Sequence, residues 1–123
     1  MAEEGVVLDF AASSIASVWA LELLLTLRRP PRRAWRGEDL IKQMRASQHA
    51  VSDALMRLQS SRLVIEEGGL YRYEAASAEL DELVGELEHL YAAKPVAVIS
   101  AIAHAPNRKL QILSDAFRLK KGK

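Results

Sequence analysis

Gln48, His49, Ser52 and Arg57 are polar residues whose spacing puts them on or near one face of a helix over 47–58. A glutamine amide sets a donor beside an acceptor, which matches the edge of adenine. A serine hydroxyl donates or accepts at several bases, and an arginine meets phosphate. Arg36, Arg45 and Arg72 flank the stretch and add further phosphate chemistry. Asp53 sits among them; it suits such a face only by accepting from a cytosine amine or by pairing with Arg57 one turn on. The bland alternative for the same residues is a solvated helix surface with an internal Asp53–Arg57 pair.

The elements that must hold these side chains follow from the apolar pattern. Val51, Leu55 and Leu58 recur at i, i+4 and i+7 with Ala54 beside them, so they face inward and leave the polar set outside. Ser47 is placed to cap this helix. A shorter helix precedes it over Glu38–Arg45, with Leu40, Ile41 and Met44 inward and two acids at its positive end. Leu63–Tyr73 follows as two strands rich in β-branched and aromatic residues, turned by Gly68-Gly69. Upstream, Ala34-Trp35-Arg36 reads as a short strand. Before it, a greasy helix through Ile15–Leu27 starts after Ser13 or Ser14 and stops at Pro30-Pro31. Downstream, a helix from about Ser77 carries Leu80, Val84, Leu87 and Tyr91 in one stripe, opposite an acidic face. Val96–Ile102 suggests a further short helix, and Leu110–Leu119 a last amphipathic piece.

At 123 residues, half of them hydrophobic, the chain is sized for one domain with a core. It has no cysteine, which removes disulfide frameworks and thiolate metal sites. Its longest greasy run is too short to span a bilayer, and its acidic start lacks the basic opening of a secretory signal, so a cytoplasmic setting is expected. Net charge is +1, but unevenly spread. Residues 64–92 hold Arg72 against eight acids, whereas 93–123 hold seven basic residues against Asp115 alone. Such polarity suits one positive face or internal charge pairing. The densest basic run, Arg28, Arg29, Arg32, Arg33 and Arg36, either lines a nucleic-acid backbone or pairs with the acidic helix.

The series Leu40, Met44, Ser47, Val51-Ser52, Leu55, Leu58, Leu63-Val64, Tyr71 and Tyr73 resembles the winged helix-turn-helix core of MarR-type transcription regulators. With the helices on either side, the resemblance covers roughly residues 14–91. It implies a mainly α fold with a small β-hairpin wing and extra terminal helices. It also implies a homodimer that binds near-palindromic double-stranded DNA and regulates transcription, with the third helix in the major groove. The chain departs from the family's pattern twice. Arg62 stands where the family usually has glycine, and the wing tip Glu66-Glu67-Gly68-Gly69 is acidic where family wings are commonly basic.

The expected organisation is a flexible N-terminal arm over 1–12, a winged-helix domain over 13–92, C-terminal helices over 93–119 suited to dimerisation, and a basic tail over 120–123. Gln48, His49, Ser52 and Arg57 are assigned to the major groove, and Arg36, Arg45 and Arg72 to the backbone. His49, His89 and His104 form no ligand spacing, so no metal is expected, and no cofactor either. Phosphate-cradling glycine loops and serine-nucleophile patterns are absent, which argues against an enzyme. Trp19 and the leucine stripes could line a pocket for an aromatic small-molecule effector between the first helix and the terminal helices, although at helical spacing such a stripe is more often core or interface. The alternative function is a protein-interaction module whose acidic wing and following helix dock on a basic partner.

Overall fold

A computed structural model describes residues 3–104. The fold is mainly helical with one small antiparallel sheet, the class expected from the sequence. Six helices appear in chain order: α1 (Glu4–Phe10), α2 (Val18–Arg28), α3 (Gly37–Met44), α4 (Gln48–Ser60), α5 (Ala78–Ala93) and α6 (Pro95–Ala103). Three strands, β1 (Trp35–Arg36), β2 (Val64–Glu67) and β3 (Leu70–Tyr73), form a sheet ordered β1-β3-β2. The expected last piece over Leu110–Leu119 and the basic tail lie outside the described residues. No single helix among those described is long and apolar enough to cross a membrane.

The N-terminus departs from the expected arm. Residues Glu4–Phe10 form a helix, and Val7 and Phe10 are buried with Ala11 and Ala12. Two apolar residues one turn apart earn their burial from α5 and α6, against which this segment packs. Nor does the next helix begin after Ser13 or Ser14. A wider π-type turn, Ala11–Ile15, carries α1 onward until Ala16 takes a left-handed conformation at φ 65°. Ser17 then caps α2, accepting from the Ala20 N–H at 3.0 Å. Ser13 instead donates back to the Asp9 carbonyl at 2.7 Å.

Helix α2 is the axis of the core. Ala20, Leu21, Leu23, Leu24 and Leu27 are all fully buried, so apolar surface covers most of its circumference. It packs along α4, whose Val51, Ala54, Leu55 and Leu58 meet it. None of the described residues that are buried is polar or charged. At the sheet, Val64 pairs with Tyr73 and Glu66 with Tyr71, while β1 adds Trp35 opposite Tyr71. Gly68 and Gly69 both have positive φ, 60° and 83°, as a two-residue hairpin turn requires.

Arg28, at the end of α2, ties the hairpin to α5. Its guanidinium pairs with Glu88, lies 4.0 Å from Asp81 and sits over the Tyr73 ring at 5.6 Å. Tyr73 in turn donates to Asp81 at 2.5 Å. Gly85 leaves room for this crossing, since a Cβ there would lie 3.2 Å from the arginine. Of the five arginines over 28–36, Arg28 is the one that realises the expected pairing with the acidic helix. Further along, Tyr91 donates to Glu22 of α2 at 2.6 Å.

Arg28→Ala is expected to lower stability by roughly 1–3 kcal/mol, between the values for exposed and buried pairs because its partners are half exposed. A lower urea midpoint at unchanged slope is the readout. Burial and the bond to Asp81 push Tyr73 up to about 12, and the bond to Glu22 with burial does the same for Tyr91. Both exceed the unfolded value of 10.0, so their contribution is complete below that pH and is lost as pH rises toward 12. Stability measured across that window should fall, and Tyr91→Phe should make the fall shallower.

Candidate nucleic-acid interface

Helices α3 and α4 are joined by a three-residue turn, Arg45-Ala46-Ser47. Arg45 ends α3 in a left-handed conformation, φ 54° and ψ 39°, which turns the chain sharply. Ser47 then starts α4 by accepting from the Ala50 N–H at 3.1 Å. Because Val51, Ala54, Leu55 and Leu58 are buried against the core, one helical face is fixed inward. The opposite face carries Gln48, His49, Ser52, Asp53, Met56 and Arg57, all exposed. Thus the four residues assigned to the major groove, Gln48, His49, Ser52 and Arg57, lie together on a single element.

Asp53 is paired differently from expectation. Its carboxylate meets His49 Nε2 at 3.2 Å, one turn toward the N-terminus, and not Arg57. Both side chains of that pair are highly exposed, so it contributes little to stability. Arg57 and Arg45 have no ion-pair partner among the described residues. The formal charge of the outer face of α4 is close to zero, with one carboxylate against one guanidinium.

Backbone-contact candidates separate into two kinds. Arg36, on β1, is exposed and meets Glu38 only at 3.8 Å. Arg33 stacks on the Trp35 ring at 3.6 Å and Arg32 on Tyr73 at 4.9 Å, which preorganises two more cations beside the same edge strand. Arg72 is spent within the hairpin: it bonds Glu74 at 2.5 Å and lies 3.6 Å from Glu67. Glu66 accepts from the Gly69 N–H at 2.7 Å, so it braces the turn from outside. The hairpin is therefore acidic, and its one arginine is neutralised by its own strands.

Trp19, expected in the core or in a pocket toward the terminal helices, lies instead beside α4. Trp19 is 47 % exposed although its neighbours in α2 are buried, and it flanks a cleft of about 610 Å³ with Asp53, Met56 and Arg57. Met56 is 66 % exposed on the same face. The run of leucines around Trp19 hides this in the sequence, because an all-round apolar helix gives no phase from which to pick its outward residue. Among the described residues no group of three histidines, aspartates or glutamates is arranged to hold a metal ion. His89 is exposed on α5, and the His104 ring bonds only the Ser100 carbonyl, at 2.7 Å.

Arg62 has φ 62°, a left-handed conformation that glycine adopts at lower cost. Comparison with known protein families, with curated proteins and with solved structures found no match to this chain. Two strained arginines give a direct test of the backbone geometry. Arg45→Gly and Arg62→Gly should each raise stability by about 0.5–1 kcal/mol, since glycine relieves the left-handed cost but adds unfolded-state entropy. Thermal and denaturant unfolding of the single variants check this.

Proposed function

We propose that the chain is a winged helix-turn-helix protein that binds double-stranded DNA and regulates transcription. The observation that carries this reading is the outer face of α4, where Gln48, His49, Ser52 and Arg57 stand exposed on a helix locked from behind by its apolar face. In this reading α4 enters the major groove, Gln48 and Ser52 meet base edges, and Arg57 and Arg45 meet phosphates. Arg36 reaches the backbone from β1, with Arg32 and Arg33 beside it. The acidic hairpin tip stays off the duplex, so Arg72 has no part in affinity. A near-palindromic site calls for a second copy, and exposed Val96 and Ile99 on α6 are apolar surface suited to one.

A second reading, a protein-interaction module, has its own supporting observation. Trp19 and Met56 expose apolar area along the α4 cleft, and the hairpin presents carboxylates with its arginine already paired. Aromatic and methionine side chains around a groove are common anchors for a partner.

Selection of bound duplexes from a random pool, followed by salt titration of the winner, tests the first reading. Arg57→Ala and Arg45→Gly should weaken binding to every sequence, each reducing the steepness of the salt dependence by about one unit per DNA-bound copy. Gln48→Ala should change which base is preferred, by roughly 1–3 kcal/mol of discrimination. Arg72→Ala should leave affinity unchanged. A pool from which nothing is enriched at low salt, together with partners captured in the presence of nuclease, would favour the interaction module.

A further inference from the structure

A groove of about 610 Å³ runs between α1 and α5. Val7, Leu90 and Ala93 give it apolar lining, and Glu4 and Glu82 stand among the residues around it. Helix α5 carries Glu79, Asp81, Glu82, Glu86 and Glu88 and no lysine or arginine. Glu4 is met by Lys94 at 3.1 Å, whereas Glu82 has no ion-pair partner among the described residues. This is a long apolar trough on the acidic side of the molecule, far in character from the polar face of α4.

The chain itself contains a segment of complementary chemistry. Residues 105–123 hold six lysines and arginines against Asp115 alone, and Leu110, Leu113 and Phe117 fall at i, i+3 and i+7. As a helix, Leu110–Leu119 would be about 15 Å long, and the groove follows about 17 Å of α5 from Glu82 to Ala93. The five residues 105–109 span up to about 17 Å when extended, more than the length of nine-residue α6, so they reach back from His104 to α5. We propose that Leu110–Leu119 of the same molecule lies in this groove, its apolar stripe on Val7 and Leu90, with Arg118 and the flanking Arg108, Lys109, Lys120 and Lys121 brought to the acidic rim at Glu82. The segment completes the core on that side, and the basic residues at its two ends offset the negative charge of α5. The inference does not depend on what α4 binds.

The absence of cysteine from the chain makes the test clean, because engineered pairs report alone. His89, on the groove and exposed, is changed to cysteine in the full-length chain. It is combined in separate variants with Leu110→Cys, Leu113→Cys, Phe117→Cys, Gln111→Cys or Asp115→Cys. On mild oxidation at least one stripe position should close about tenfold faster than Gln111 or Asp115, because a disulfide needs Cα atoms within about 7 Å. The product should be a single chain by mass and gel mobility. Glu82→Lys, an exposed change, should slow the same closure. Equal rates at all five positions, an unchanged rate in Glu82→Lys, or disulfides formed only between two chains would overturn the proposal; the last would give the groove to a second copy.

Discussion

The contact between α2 and α4 governs the rest of the molecule. Four apolar side chains of α4 close against a helix that is itself fully buried at five positions. Each such burial is worth roughly 1.5–3 kcal/mol for a large aliphatic side chain. Turning α4 by one residue would swing its apolar stripe by 100° and replace Leu55 or Leu58 with Met56 or Gln59. No gain on the outer face offsets that loss. The direction in which Gln48, Ser52 and Arg57 point is therefore decided by leucines that touch nothing outside the protein. A functional surface of this kind can vary freely in chemistry while its placement is held by the core.

Arginine in this chain serves several purposes, and only partners distinguish them. Arg28 crosses Gly85 to join Asp81, Glu88 and the Tyr73 ring, so it fixes where the hairpin leaves α5. Arg72, on β3, meets Glu67 at the end of β2 and Glu74 just after its own strand. Arg32 and Arg33 lie flat on aromatic rings. Arg45 and Arg57 remain unpaired among the described residues, and Arg45 does so from a conformation that glycine would occupy at lower cost. A charged residue kept at a strained position is the reverse of what stability alone favours.

Much of the fold was legible because its signals were local. The period of Val51, Leu55 and Leu58, the cap at Ser47, the glycine pair of the hairpin and the strand at Trp35 all appear where residue type and spacing put them. What escaped notice was set by tertiary contact. Helix α1, at seven residues, is too short to show a helical period and is held by α5 and α6. Ser13 and Ser14 were the caps that the sequence offered, and the left-handed turn at Ala16 put the helix start at Ser17 instead. Arg72 looked free because one partner, Glu67, is brought to it across the hairpin and the other, Glu74, lies just past the end of β3.

The distribution of charge constrains how a duplex approaches. The outer face of α4 is nearly neutral, the hairpin and α5 are acidic, and Arg36, Arg45 and Arg57 lie on β1, at the end of α3 and on α4. On the proposed reading one copy brings only Arg36, Arg45 and Arg57 to phosphate, enough for a salt slope of about −3 at most. Non-specific attraction from so few contacts is weak, so affinity must come from base contacts and from pairing of copies. Two copies on a palindrome double the phosphate contacts, to a slope of about −5, without adding one basic residue to either chain. A protein built this way would reject random duplex by lack of charge and retain its site by geometry, which is how an acidic hairpin becomes compatible with DNA binding.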